Sequence, residues 1–405
     1  MSLKIKFRAL LTMCGAPIEN GELIIDGGNI VEISTTPSND EGVLDLSDCL
    51  LMPGFVNAHC HLSLTALEKK LSPPDSFVDW IRALIPLNSG LDSESRVNGI
   101  HAGAEVMQRS GVTGLGDYVA EPELLPVIGG LGFRSVLFLE TIGFQSEKAS
   151  ELCKNLEEVL KREPPLYQLG LAPHAPYSVS PDLFRCLAEL AEKYHCPLSC
   201  HVAEIKEESR FLVLGDDSLE KLLKERSAWD PEWRPPYQSP MKYLDGLNIL
   251  HRLVAVHCNF VSDDLDVMEK KKVKPVFCPQ STEWFGRTQF MPVRALLDRG
   301  MSVALGTDSL ASNGSLNFLD ELRCADKLLP DVSREEILTM ATRFGGEALG
   351  LECGTLASGQ KADLIGFRVP RDFSGHWSDV PFELHRREVD FYMVDGQRDA
   401  GLGVK

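Results

Sequence analysis

Long apolar runs are absent: no stretch of the 405 residues reaches the ~18 consecutive apolar positions that a membrane-spanning helix needs. Positive charge is scarce beside negative. Lys and Arg total 41 against 59 Asp and Glu, a net charge of −18. That balance disfavours sequence-independent nucleic-acid binding and docking on an anionic membrane. A small anionic substrate stays open, because a single pocket can still carry an Arg or Lys. The opening Met-Ser-Leu-Lys lacks the apolar core of a secretory signal. The eleven cysteines are odd in number, sit in apolar contexts and include no Cys-x-x-Cys pair. These features predict a cytoplasmic protein with reduced thiols. Repeats and low-complexity tracts are also missing. With 43% apolar and 25% charged residues the chain is globular, and it is long enough to bury a large core without disulfide staples.

The texture changes twice along the chain. Residues 1–52 read as short strands and turns: Phe7–Met13, Gly21–Ile25, Asn29–Ile33, Leu44–Leu46 and Leu50–Met52, with Asp26-Gly27-Gly28-Asn29 as a tight turn. Residues 354–405 repeat that texture, with extended runs at Ala362–Val369 and Glu388–Val394. Residues 53–353 instead alternate apolar strand-like runs with helical patterns. Eight such runs occur: Phe55–His61, Val112–Tyr118, Phe133–Leu139, Gln168–His174, Leu198–Val202, Leu253–His257, Val273–Cys278 and Met301–Asp308. Helical patterns fill most gaps, as at Asn98–Arg109, Glu147–Arg162, Pro181–Tyr194 and Leu219–Lys224. Ser180-Pro181-Asp182 is a helix start with proline in its first turn. Eight strands with intervening helices predict an α/β fold, a (β/α)8 barrel, with all-β texture at both ends. Residues 215–248, with Trp229, Trp233, Pro235 and Pro236, read as an irregular segment and a candidate active-site lid.

In such a barrel the chemistry gathers at the carboxyl ends of the strands. There the sequence places His59-Cys60-His61, His174, His201, His257 and Asp308. Residues i and i+2 share one face of a strand, so His59 and His61 can reach one metal. Histidines and an aspartate are ordinary ligands for zinc, and iron accepts the same set. We assign His59, His61, His201 and Asp308 as ligands of one divalent metal per chain, zinc first and iron as the alternative. A water bound to such a metal falls in pKa from about 15.7 toward ~7. Asp308 can also accept its proton, and His257 can orient it. Glu204 lies three residues past His201 and on an ideal strand would face away. To act as proton shuttle it needs a turn at or before that position. His174 reads as a substrate contact. Trp80 and Phe77 follow the first strand as walls for an aromatic ring or as helix packing. His101, His195, His251, His376 and His385 read as structural. In the acidic run Glu204, Glu207 and Glu208 only the first is singled out, and the others read as solvated surface.

Met52-Pro53-Gly54-Phe55-Val56-Asn57-Ala58-His59-Cys60-His61-Leu62 resembles the first-strand signature of the amidohydrolase superfamily. Val256-His257-Cys258, Gly306-Thr307-Asp308-Ser309 and Leu356–Leu364 resemble its later motifs. The resemblance spans essentially the whole chain. It implies a metal-bearing barrel at residues 53–353 and a β-sandwich built from residues 1–52 and 354–405. It implies the same ligand set, Glu204 as proton shuttle, His257 beside the hydrolytic water and His174 near the substrate. A homodimer is compatible with the fold. The fourth run ends Leu171-Ala172-Pro173-His174, without the bridging Lys or Glu of two-metal members. Together with His201-Val202-Ala203-Glu204 it resembles the branch that deaminates cytosine, guanine and adenosine derivatives.

A narrower likeness rests on His61–Leu67, on Ser76-Phe77-Val78-Asp79-Trp80-Ile81 and on Ser309-Leu310-Ala311-Ser312-Asn313. These resemble aminodeoxyfutalosine deaminases of the alternative menaquinone route, which act on an adenine nucleoside with a benzoate arm. That group often has Cys-Pro-Arg-Ser-Asn after the seventh strand, where this chain has Cys278-Pro279-Gln280-Ser281-Thr282. Arg287 is the nearby cation assigned to the substrate in its place. The expectation is hydrolytic loss of the 6-amino group of aminodeoxyfutalosine or a related adenine nucleoside. Alternatives are a methylthioadenosine/S-adenosylhomocysteine or guanine deaminase, or a triazine hydrolase or amidase with the same centre. A non-catalytic scaffold would show a lost ligand, and none is lost.

Overall fold

The structure is a computed structural model that describes residues 2–38, 42–162, 167–215, 217–383 and 387–403. Strands β1 (Leu3–Leu10), β2 (Ile18–Asp26), β3 (Asn29–Ser34) and β4 (Leu44–Pro53) come first. The barrel strands follow: β5 (Phe55–Cys60), β6 (Val112–Val119), β7 (Arg134–Thr141), β8 (Gln168–Pro173), β9 (Ser199–Val202), β10 (Val254–His257), β11 (Lys274–Phe277) and β12 (Ala304–Leu305). Each falls on one of the eight runs read from the sequence. Strands β13 (Leu364–Arg368), β14 (Phe391–Val394) and β15 (Gln397–Gly403) close the chain.

Strands β5 to β12 form two parallel sheets, ordered β5-β6-β7-β8 and β12-β11-β10-β9. Parallel bridges join Cys60 to Asp308 and Leu171 to Leu198 at the two seams, so the cylinder closes. Period-2 alternation fills it: Val136 and Phe138 of β7, Val254 and Val256 of β10, and Tyr118, Ala172 and Val276 share one buried cluster. Ala348 and Leu349 of the helix Arg343–Leu349 belong to that cluster and floor the barrel. A Cβ on Gly345 would stand 2.7 Å from that of Val56, so glycine is what allows this helix to sit so close.

The other seven strands form one mixed sheet, β15-β14-β13-β4-β1-β2-β3, the small β-sandwich that both termini build. Strand β4 serves two cores. Its Cys49 and Leu51 join Ile5, Phe7, Leu23 and Phe391 in the small unit. Its Leu50 and Met52 face the main core with Phe55.

Local signals place the helices. Ser180 Oγ accepts from Leu183 N at 3.3 Å to start Pro181–Tyr194. That helix ends on His195 in the left-handed region (φ 52°), so this histidine is structural. The segment 215–248 is less irregular than its composition predicts, for it contains the helices Asp217–Glu225 and Pro240–Gly246. Trp233 stacks on Phe211 with centroids 4.2 Å apart, and Trp229 lies 5.7 Å from Phe144. His385 lies outside the described residues. Among the described residues no helix is long and apolar enough to cross a membrane.

The expectation that all thiols are reduced is corrected. Cys153 and Cys186 are joined in a disulfide, and the other nine are free. The two lie on the neighbouring helices Ala149–Leu160 and Pro181–Tyr194, whose packing brings their Cα atoms to 6.5 Å. Sequence spacing of 33 residues carries no sign of this.

The two units are clamped by Arg134, at the start of β7. Its Nε and Nη2 donate to the two oxygens of Asp363 at 2.7 and 3.1 Å, and Asp395 N donates to the same carboxylate at 2.8 Å. The Asp363 side chain is 2% exposed. Removing one partner of a buried bidentate pair strands the other charge. Arg134→Ala is therefore expected to destabilise the fold by about 3 kcal/mol, read as a lowered urea midpoint with an unchanged slope.

Candidate active site

Sequence-local distortions aim the site residues. The register of β5 against β6 slips between Asn57 and Cys60. Such a bulge re-aims side chains, and here His59 and His61 converge with ring centroids 4.9 Å apart. Cys60 turns away and its Sγ donates to Asp117 Oδ1 at 2.9 Å, while Leu62 N donates to the same oxygen at 2.8 Å. Asp117 thus pins the chain on both sides of His61. Asn57 locks β5 to the end of β12, giving to Thr307 Oγ1 at 2.8 Å and accepting from Thr307 N at 3.0 Å.

Three other strand ends carry non-glycine residues in the left-handed region: Ala203 (φ 50°) after β9, His257 (72°) and Cys258 (46°) at the end of β10, and Asp308 (61°) after β12. Each such residue costs about 1–3 kcal/mol and persists where its surroundings over-determine it. Ala203 N donates to Glu208 Oε1 at 2.8 Å, and Ala203 O accepts from Asn259 N at 2.9 Å. Asp308 N donates to His59 O at 3.1 Å.

The result is a tight set of donors. His201 Nε2 lies 3.3 Å from His59 Nε2 and 3.4 Å from His61 Nε2. Ligands about 2.0–2.1 Å from a tetrahedral ion stand about 3.3–3.4 Å from one another, so the spacing fits one ion. Asp308 Oδ1 faces the group, 3.7 Å from His59 Nε2 and 3.9 Å from His61 Nε2. Its Oδ2 is held by Ser281 Oγ at 2.8 Å and Ser312 Oγ at 2.9 Å. The overlapping sets His59/His61/His201 and His59/His257/Asp308 form one mononuclear metal-binding site.

The protonation states suit it. Burial, then the charge of His59, holds His61 down at about 3. Burial and the surrounding histidines push His201 well below its ordinary value. His201 Nδ1 is 2.9 Å from His174 O, a pure acceptor, so Nδ1 carries the proton and Nε2 keeps its lone pair for a metal. Burial opposes ionisation of Asp308, but the hydrogen bond from His59 and the charges of His257, His59 and His61 outweigh it and hold the carboxyl well below its usual range.

Glu204 does enter the site, because the chain turns at Ala203. Its Oε1 is 3.7 Å from His257 Nε2 and accepts from Arg287 Nη2 at 2.6 Å. Burial pushes its pKa up to about 7 against the pull of Arg287. The reading of Glu208 as solvated surface is corrected: it is fully buried. Its two oxygens accept from Ala203 N at 2.8 Å and Glu204 N at 3.2 Å, while Asn259 Nδ2 donates to Glu204 O at 3.0 Å. Asn259 went unnoticed in the sequence, and Glu208 was misplaced on the surface, although an acid four residues after Glu204 is placed to reach back to its N–H.

Arg287 is buried to 10% exposure over Phe285, 4.4 Å from the ring centroid, and Trp80 lies 5.3 Å from the same ring. Trp80 Nε1 donates to Ala311 O at 3.1 Å, which ties this wall to the loop after Asp308. His174 stands beside His201, with centroids 4.9 Å apart and Nδ1 2.7 Å from Ser178 Oγ. Gln280, where the likeness has arginine, bonds through its backbone N (3.2 Å) and its side-chain amide to buried Glu321. Its side chain is engaged by the scaffold.

Residues 50–398 match the model of the Amidohydrolase family, and the chain belongs to that family. It is 30% identical over 401 residues to a 5-methylthioadenosine/S-adenosylhomocysteine deaminase of Pyrococcus furiosus, covering 94% of this chain and 90% of that protein. It is 29% identical over 413 residues to a 5′-deoxyadenosine deaminase of Methanothermobacter thermautotrophicus, covering 96% and 91%. Among solved structures it resembles the aminofutalosine deaminase of Helicobacter pylori bound to methylthio-coformycin. There the TM-score is 0.86 at 23% identity, over 98% of this chain and all of that one. At that identity the likeness bears on the fold alone.

His201→Ala removes the nitrogen that lies 3.3 Å from that of His59 and 3.4 Å from that of His61. Elemental analysis after dialysis is expected to show wild-type protein with about one zinc or iron per chain and the variant with a small fraction of that.

Proposed function

We propose that this protein hydrolytically deaminates an adenine nucleoside at C6, releasing ammonia, with aminodeoxyfutalosine as first candidate and 5′-deoxy, methylthio and S-adenosylhomocysteine forms as relatives. The carrying observation is Glu204 beside His257 at the edge of the metal-binding group. Residues 53–353 are the catalytic unit in this reading, and residues 1–52 with 354–405 the β domain. Deaminases of 5′-modified adenine nucleosides among the relatives support the substrate class. With aminodeoxyfutalosine as substrate the reaction would belong to the alternative menaquinone route.

His59, His61, His201 and Asp308 would hold the metal, which supplies Lewis acidity that makes a bound water nucleophilic near neutral pH. Glu204, whose pKa burial raises and Arg287 lowers to about 7, would take one proton of the attacking water on Oε1 or Oε2. His257, pushed well below its ordinary pKa by burial, stays neutral and orients the attacking oxygen. Glu204 then delivers its proton to ring N1, which draws electron density from C6. Oxygen adds to C6, and Asp308 accepts the remaining water proton, which passes to the exocyclic nitrogen as the C–N bond breaks to leave ammonia and the 6-oxo ring. Trp80, Phe77 and Phe285 wall the ring, and the near-complete burial of Glu204 and His257 keeps bulk water from competing.

Ammonia release tests the reading, with aminodeoxyfutalosine, 5′-deoxyadenosine, methylthioadenosine, S-adenosylhomocysteine, adenosine, guanine, cytosine and a chlorotriazine. Turnover of at least one adenine nucleoside is expected; metal-replete protein that deaminates none of them sinks the proposal. Glu204→Gln is expected to lower kcat about 10²–10⁴-fold with metal content unchanged. Glu208→Gln, which turns an amide donor toward a backbone N–H, should cost about 10–100-fold in kcat and little in KM. Arg287 lowers the Glu204 pKa, so removing it raises that pKa. The acid limb of the kcat/KM profile of Arg287→Gln should accordingly move to higher pH by about one unit or more.

A further inference from the structure

Glu140 has no part in the chemistry above, yet it stands at the same end of the barrel. It continues the inner face of β7 after Val136 and Phe138, two residues beyond the buried cluster. Its side chain is 12% exposed, and its buried Oε1 makes no hydrogen bond. Among the described residues its ionic neighbour within 4.0 Å is His61 Nδ1 at 3.9 Å, beyond hydrogen-bond reach. A buried carboxyl oxygen left this way lacks the hydrogen bond that burial calls for, which argues for a partner that arrives with the substrate.

His174 is the matching half. Ser178 Oγ holds its Nδ1 at 2.7 Å, and its carbonyl is taken by His201, so Nε2 is the ring position left for another group. A ring nitrogen of His174 and a carboxylate oxygen of Glu140 lie within 4.8 Å of each other, in a trio completed by His201. His201 has no donor to spare for a second cation: Nδ1 serves His174 O and Nε2 sits in the nitrogen triangle. Two polar atoms up to 4.8 Å apart are instead bridged by one oxygen at ordinary bond lengths of about 2.7–2.9 Å. A hydroxyl meets both demands. Its one proton goes to the Glu140 carboxyl oxygen, and its lone pair accepts from the imidazole Nε2–H while Nδ1 takes the Ser178 hydroxyl proton.

We propose that Glu140 and His174 form a subsite for a substrate hydroxyl beside the metal centre, so that a ribonucleoside is selected over free bases and over the analogue lacking that hydroxyl. This rests on the nucleoside deaminase reading and narrows it. A site built to bond a hydroxyl rejects the analogue lacking it far more strongly than an apolar pocket does, because its own groups are then left unpaired.

The test uses zinc-loaded protein and adenosine, 2′-deoxyadenosine and 3′-deoxyadenosine. Turnover is measured on wild type, Glu140→Ala and Glu140→Gln. Binding is measured calorimetrically on Glu204→Gln, alone and combined with Glu140→Ala. Wild type is expected to lose about 10²-fold or more in kcat/KM with one of the two deoxynucleosides. Glu140→Ala should bring adenosine down to that level while leaving that deoxynucleoside and the metal content unchanged. The calorimetric affinities should show the same loss of discrimination. Equal handling of all three nucleosides by wild type, or one common slowing by Glu140→Ala, overturns the proposal even where ammonia is released. If Glu140→Ala fails to fold, the wild-type comparison and the Glu140→Gln ratio decide. If nothing is deaminated, the catalytic reading fails, and the calorimetric ratios still decide for or against the subsite.

Discussion

Two imidazole nitrogens, those of His59 and His61, brought to 3.3–3.4 Å of a third, the inward-facing Nε2 of His201, are the constraint on which the rest of this structure depends. Ring nitrogens so placed cannot all carry protons, and burial strips them of the water that would bond to them. A divalent cation removes the conflict, so the geometry is a commitment to metal made by the protein scaffold itself. The scaffold holds that commitment with neutral groups as well as charged ones. The His174 carbonyl fixes the tautomer of His201, two serine hydroxyls orient Asp308, and Asp117 holds the chain around His61. Left-handed backbone at Ala203, His257 and Asp308 shows where regular strand geometry was given up so that side chains of different strands could meet.

The same turn that interrupts β9 brings Glu204 into the site. On an unbroken strand Glu204 would point opposite to His201. The left-handed Ala203 reverses that, and Glu208 and Asn259 hold the backbone of Glu204 from both sides. Glu204 is therefore rigid at its backbone and free to exchange partners at its carboxylate. Burial raises its pKa and Arg287 lowers it, leaving it at about 7, where a group passes protons in both directions with little penalty.

Much of this was legible in the sequence. Eight apolar runs marked eight strands, because the parallel strands of a barrel are buried on both faces. Histidines at the run ends marked the site, because polar residues at such positions have few structural uses. What was illegible depended on contacts between distant segments. Glu140 lay one residue past the predicted end of its strand, so its place on the inner face went unread. Glu208 looked like surface because an acidic run is ordinarily solvated, and its burial follows from the turn at Ala203. The Cys153–Cys186 pairing depends on how two helices pack. The helices within 215–248 were hidden by the tryptophans and prolines around them.

Charge at the site departs from that of the chain as a whole. A protein of net charge −18 sets a buried guanidinium against the carboxyl group of Glu204. Seven residues earlier, where the likeness leads one to look for the cation, Gln280 satisfies Glu321 instead. Burial leaves Glu321 with its pKa raised well above the ordinary value, and a neutral amide suits a carboxyl that holds its proton. Arg287, by contrast, keeps its Nη1 buried and without a hydrogen-bond partner. When Glu204 takes up a proton, the attraction between the two side chains weakens and the guanidinium is left a buried cation in want of an acceptor.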